Sequence, residues 1–487
     1  MKMWSGRFRQ PLDPEFERWQ RSFPFDQRLL QEEIAASRAH AKALLAAGVL
    51  SGDECSSLLG GLDSLAAMGP EFLNDEEAED VHHFVEKHLQ RLIGETALKL
   101  HAGRSRNEQI ATDLRLFVRA SCDEIGGLIT ELVQATLLQA QQAGMSSQQA
   151  KDGLAGGPLA AMPSYTHLQR AEPVLAAHWL LAYCEMFLRD AGRLVDCRKR
   201  LNYCPLGSGA IAGATLALDR ELVAAELSFT APTANSMDAT GDRDFAIEFA
   251  QALAILAMHL SRWAEEFILF ATVEYGFVRL PESYSTGSSA MPQKQNPDSL
   301  ELIRGKAGRV IGAAQQLLIT LKGLPLAYNK DMQETQEPVF GVADTVRMML
   351  RVAAGFMREV QFDFERMTRA ASTGYMNAMA AATYLVGKGV PFRRAHEIIG
   401  KAVRLGMEQG RELHEMALAD LRSISEAFGE DFYASVTLEA VLDCHDVTGG
   451  TARRRVAEAL DAMDQRVTQL QAGIAGLHRI EAEDVRA

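Results

Sequence analysis

Between Ser285 and Asp298 the chain reads Ser-Thr-Gly-Ser-Ser-Ala-Met-Pro-Gln-Lys-Gln-Asn-Pro-Asp. Two adjacent hydroxyls (Ser288, Ser289), a cation (Lys294) and an amide (Asn296) fall within one short stretch. Such a set suits the handling of a carboxylate, because a cation and donors hold negative charge and fix its orientation. Gly287 is free of the usual backbone limits, and Pro292 and Pro297 forbid a continuous helix, so a loop is predicted. Asn296 is placed to cap the helix that Pro297 would begin. Elsewhere, Pro163-Ser164-Tyr165-Thr166-His167 closes a stretch rich in small and polar residues, and Gly103-Arg104-Ser105-Arg106-Asn107 breaks a helical pattern bearing His82, His83 and His88. Those histidines lack the spacing of a zinc motif, so no metal site is predicted.

The frame for these groups is helical. Phe245, Phe249, Leu253, Leu256, Leu260, Trp263, Phe267 and Phe270 recur at steps of three and four, with apolar residues on other faces too, which predicts a helix buried nearly all round. Leu300, Ile303, Ala307, Val310, Ala314, Leu317, Leu321 and Leu324 repeat the pattern after the loop, and so do Leu114 to Ala135, weakened only by Ser121. The two helices flanking the loop would each run roughly 35 to 45 Å at ~1.5 Å per residue. Elements that long and apolar need partners along their length, which predicts a bundle completed by other subunits. A further helix is expected from Pro173 to Arg193, and a long loop from Ala143 to Pro163. The run Pro205 to Gly213 superficially suggests a nucleotide loop, but its glycines are misspaced and a basic segment precedes it, so structural turns are the better reading.

The bulk numbers exclude several classes. At 487 residues with 47% hydrophobic and 23% charged residues, a large core and two or three domains are expected. A net charge of -14 argues against nucleic acid as a partner. No signal-peptide core is legible at the N-terminus and no window approaches the ~18 apolar residues of a membrane span, so a cytoplasmic, non-membrane protein is expected. The six cysteines are scattered without a C-x-x-C spacing, which indicates neither zinc nor a disulfide framework.

Taken together, Trp4 to Phe8, Leu100 to Asn107, Tyr165 to Arg170, Asp238 to Thr240 and the loop at Ser285 to Asp298 resemble the argininosuccinate lyases of the fumarase and aspartase superfamily, over nearly the whole chain. Gln293-Lys294 is similar to that branch in particular. The resemblance implies an all-α fold of three domains (1–105 N-terminal, 106–369 a central long-helix bundle, 370–487 C-terminal) in a homotetramer with shared active sites. It implies reversible elimination of arginine from argininosuccinate to leave fumarate, in arginine biosynthesis, with no metal or organic cofactor. By the same resemblance Ser288 is the base, Lys294 the charge stabiliser, His167 the acid and Glu301 the group that orients it. Ser22, Arg106, Asn107, Thr166, Arg243, Asn296, Tyr328 and Gln333 would bind substrate, with His82 nearby. Two departures stand out: Gln295 and Gln336 occupy positions where lysine is expected.

Overall fold

The computed structural model describes residues 10–69, 73, 75, 77–143 and 160–484. The motif at Trp4 to Phe8 and most of the Ala143 to Pro163 segment lie outside these. The N-terminal part contains α1 (Leu30–Ala46), α2 (Gly52–Ala66) and α3 (Val81–Ile93). Local chemistry sets their starts. Ser51 and Glu54 form a reciprocal capping box on α2, and the Asp80 side chain accepts from His83 N–H at the head of α3.

Five long helices make the centre: α4 (Arg106–Ala143), α5 (Ala176–Leu201), α6 (Asp244–Ala271), α7 (Asp298–Leu321) and α8 (Gln336–Glu359). α4 packs along α5 and α8, and α6 along α7. Trp263, Phe267 and Phe356 meet here with ring centroids 4.9 to 5.6 Å apart. Ser121, the weak point in the apolar stripe, is buried and accepts from Arg347 Nη2 at 2.9 Å. By length and mean hydropathy α6 could cross a membrane, contrary to the sequence reading. Its apolar face, from Phe245 to Phe270, is instead buried in the protein core.

The expected helix from Pro173 is shorter at its start. Residues 161–175 form a hairpin, β1 (Ala161–Thr166) and β2 (Gln169–Leu175), and α5 begins only at Ala176. Pro163 faces Pro173 across the register, so the two residues that lack an N–H sit opposite one another. Among the described residues the remaining strands are two-residue pairs, and the fold is all-α.

Beyond residue 370, α9 (Ala378–Gly387) and α10 (Phe392–Gln409) close a small core of their own with Leu413, Phe428 and Phe432. The last helix, α11 (Arg453–Asp484), returns to the centre, where Val456, Leu460, Met463 and Val467 join the bundle core. The N-terminal helices share that core as well.

Candidate active site

The bundle has two ends, and the candidate residues divide between them. Arg115, near the start of α4, donates to Leu201 O at the end of α5 and pairs with Asp242 at the start of α6. Gln139, near the other end of α4, donates to Met357 O and Val360 O at the end of α8. α4 has 38 residues, so its ends stand roughly 57 Å apart at ~1.5 Å per residue.

At the first end, Ser22, Arg106, Asn107, Arg243, Tyr328 and Gln333 come together. Ser22 is buried and its N–H donates to Glu79 O at 3.0 Å. Arg106 Nη1 donates to Asp80 at 2.8 Å, and its Nη2 lies 3.9 Å from Glu86. Arg106 is therefore engaged by carboxylates of its own chain. Arg243 is 2% exposed and donates to Asp242 O at 2.7 Å. Burial lowers its pKa to about 10. Burial raises that of Tyr328, against the opposing pull of the same guanidinium. Gln333 Nε2 donates to Gln20 O at 3.2 Å, two residues from Ser22, and Asn107 Nδ2 to Ala210 O at 3.3 Å. Gln336, where a lysine was expected, is buried and its Oε1 has no hydrogen-bond partner among the described residues.

Sequence reasoning missed the acids of this end. Asp26 accepts from Val81 N–H at 3.0 Å, and burial first, then Asp80, raises its pKa to about 7. Below it, Glu33 accepts from His82 Nδ1 at 2.8 Å, Ser37 Oγ at 2.7 Å and Gln109 Nε2 at 3.1 Å, with Arg104 Nη2 3.7 Å away. Burial alone would raise the Glu33 carboxyl, but His82 and Arg104 outweigh it and hold it down to about 2. Burial opposes a charge on His82, yet the Glu33 carboxylate more than offsets this and raises its pKa. Asp113 is driven well up by burial and by Glu33. Glu33, His82 and Asp113 each offer a donor atom within 4.8 Å of the others. The Arg104 guanidinium already supplies positive charge there, which disfavours a metal cation. Nothing in the spacing of these residues announces such a network, since the acids lie on three helices or their approaches.

At the second end stand Thr166, His167, Ser288, Lys294, Asn296 and Glu301. Tyr165 anchors the hairpin, its ring 5.9 Å from Phe270 and 5.6 Å from Tyr275 at the end of α6. Thr166 pairs with Gln169, leaving His167 (φ 56°) and Leu168 (φ 58°) as a two-residue turn. Left-handed backbone at non-glycine residues costs about 1–3 kcal/mol each, and here it holds an exposed imidazole at the tip.

The Ser285 to Asp298 segment is closed by a short ladder, Thr286 opposite Asn296 and Gly287 opposite Gln295. Gln295 ties the loop at its base, where its Nε2 donates to Ser285 Oγ at 2.6 Å and to Leu280 O at 3.2 Å. Asn296 does not cap the following helix. Pro297 takes the cap position, and the Asn296 amide instead donates weakly across the ladder to Gly287 O at 3.4 Å. Gly287 is not among the glycines of positive φ, so its conformational freedom is not used here. Inside the loop, the N–H groups of Ala290 and Met291 both donate to Ser288 Oγ, at 3.3 and 3.1 Å. Two N–H dipoles aimed at one oxygen favour its negative form. Lys294 is exposed, with no side-chain partner among the described residues. Glu301 is also exposed, 3.9 Å from Arg304, and no hydrogen bond joins it to His167 within the chain.

A family profile described as Lyase matches residues 6–312, and one described as Argininosuccinate lyase C-terminal matches residues 375–443. The argininosuccinate lyase of Acidobacterium capsulatum is 59% identical over 478 residues, covering 96% of each chain. That of Koribacter versatilis is 59% identical over 467 residues, covering 96% of this chain and 98% of its own. Among solved structures, an EDDS lyase variant with bound fumarate superposes with a TM-score of 0.81 at 25% identity, over 98% of this chain and 95% of that one. A 3-carboxy-cis,cis-muconate lactonizing enzyme from Pseudomonas putida shares the fold, with a TM-score of 0.71 at 20% identity over 93% of this chain and 100% of its own. With close relatives matched along nearly their full length, the chain belongs to the argininosuccinate lyase family.

Proposed function

We propose that the protein is an argininosuccinate lyase that reversibly eliminates L-arginine from argininosuccinate to leave fumarate, in arginine biosynthesis. The observation that carries this reading is 59% identity to curated argininosuccinate lyases over 96% of both chains. A carbon beside a carboxylate loses a proton, the electron pair forms the carbon–carbon double bond, and the carbon–nitrogen bond breaks with a proton delivered to the departing guanidine nitrogen. The transient charge on the carboxylate is the difficult feature, and a positioned cation with fixed dipoles stabilises it.

In this reading Ser288 takes the proton. A free serine hydroxyl is a poor base, and the two backbone N–H groups aimed at Ser288 Oγ support an alkoxide there. Lys294 stabilises the substrate carboxylate, and His167 protonates the leaving nitrogen after Glu301 has oriented its ring. Ser22, Arg106, Asn107, Thr166, Arg243, Asn296, Tyr328 and Gln333 bind the substrate. The separation of these groups to two ends of the bundle supports a homotetramer in which each site combines segments of several subunits. The three-part division at residues 105/106 and 369/370 belongs to the same reading, as does a cytoplasmic location. No cofactor is required.

Fumarate absorbance followed with argininosuccinate, adenylosuccinate, aspartate and malate in turn tests the proposal. Turnover of argininosuccinate alone is expected. Turnover of another adduct in its place would overturn the substrate assignment and favour a second reading, a lyase of the same fold acting on a different succinyl amine. The neutral Gln336, whose Oε1 has no hydrogen-bond partner among the described residues, is the observation on that side.

A further inference from the structure

Ser105-Arg106-Asn107-Glu108 has the form of a helix-capping box, a hydroxyl followed three residues later by glutamate. Only half of the Glu108 carboxylate is used that way. Its Oε1 accepts from Ser105 N–H at 2.9 Å, while its Oε2 accepts from Gly209 N–H at 2.8 Å, 101 residues away. Glu108 is fully buried. Burial raises its pKa against the pull of these backbone donors. The glycine it holds belongs to the run Pro205 to Gly213, which the chemistry above leaves unused. That run is a tight turn: Gly207, Gly209 and Gly213 all have positive φ, and a Cβ on Gly209 would lie 2.8 Å from Gly213 O. Its next residue, Ala210, accepts from Asn107 Nδ2. One carboxylate therefore fixes both the turn that carries Asn107 and the loop that orients the Asn107 amide.

We propose that Glu108 is a positioning residue for substrate binding, acting through Asn107, and that the Gly207 to Gly213 turn is the wall against which the Asn107 amide is set. With one N–H on Ala210 O, the amide presents its second N–H and its carbonyl to a ligand in a fixed direction. The inference rests on Asn107 being a substrate ligand in the reading above. Glutamine at 108 offers one acceptor where two oxygens each meet a backbone N–H, so its NH2 would face a donor at one of them.

The test is a double-mutant cycle on Glu108→Gln and Asn107→Ala in argininosuccinate turnover, with amide hydrogen exchange of the 207–213 turn as a readout independent of activity. We expect Glu108→Gln to lower kcat/KM roughly 10- to 100-fold, chiefly through KM, and the double variant to be no worse than Asn107→Ala alone. Exchange at 207–213 should quicken. A merely structural loss would lower the active fraction, and hence kcat, with KM unchanged. Gly209→Ala attacks the same wall from the other side without touching the helix cap, and should reproduce the KM rise if Glu108→Gln does not fold. Losses that multiply across the cycle, a normal KM in Gly209→Ala, or unchanged exchange in Glu108→Gln would overturn the inference. Absence of turnover in the wild-type protein would instead condemn the substrate reading, leaving the exchange measurement to judge the turn.

Discussion

The two ends of the bundle solve opposite problems. At the first, Ser22, Arg104, Glu33, His82 and Arg243 are each less than a tenth exposed, and the Glu33 carboxylate lies against His82 and Arg104 of the same chain. At the second, His167, Lys294 and Glu301 are exposed and lack strong partners. A buried charge must be paired where it stands, so the first end is assembled by folding alone. Exposed groups on a hairpin tip and a tied loop carry no such obligation. Their partners must come from elsewhere, and roughly 57 Å of helix keeps one chain from supplying them across its own length. Substitutions should accordingly separate into those that unfold the protein and those that only silence it.

Ser288→Ala should produce the largest change and touch activity alone, lowering fumarate release by about 10²- to 10⁴-fold with an unaltered melting temperature. Normal turnover in that variant would remove Ser288 from the chemistry. At the opposite end, Arg104→Met should cost about 3–5 kcal/mol of stability, because it takes a guanidinium from the buried Glu33 and Ser37. Chemical denaturation reads this directly, and an unchanged midpoint would show that His82 alone balances Glu33.

A smaller effect is expected from Asp26→Asn. The folded-state pKa of Asp26, raised from 3.8 to about 7, means that the native protein keeps a proton the unfolded chain releases. Asp26 therefore contributes a stability that is full below 3.8, falls as pH rises, and is gone above about 7. The melting temperature of Asp26→Asn relative to wild type should rise between about pH 4 and about pH 8, by a degree or more. A constant difference would mean that burial does not perturb this carboxyl. The mildest change is Gln295→Leu, which removes both bonds at the foot of the loop. Each exposed bond is worth about 0.5–1.5 kcal/mol, so activity should fall severalfold while the bundle melts as before. Unchanged activity would show that the ladder alone holds the loop.

How far this division could be read in the chain depends on range. Phe245 to Phe270 and Leu300 to Leu324 are legible because burial on a helix repeats every three to four residues, and long helices cover both except Leu324, which lies past the end of α7 at Leu321. The hairpin at 161–175 escaped because its turn is His167-Leu168, without the Gly or Asn that announces a left-handed turn. Chemical groups in the Ser288 loop are visible as residue types, but Asn296 as a cap was not the outcome, since the ladder to Thr286 takes its backbone first. The capping box at Ser105 and Glu108 was available as a local signal, whereas its second oxygen on Gly209 is a contact across 101 residues that no local pattern encodes. Gln295 likewise acquires meaning only once Ser285 and Leu280 fold back to it.

The division of one site between two ends is tested most directly by mixing. Asn107→Ala disables the first end and Ser288→Ala the second, so each variant alone should be nearly inactive. If sites are built from several subunits, dissociating the two variants together and reassembling them restores some sites with both groups intact, and fumarate release should return. A reassembled mixture as inactive as its components would contradict a shared site and require each chain to complete its own.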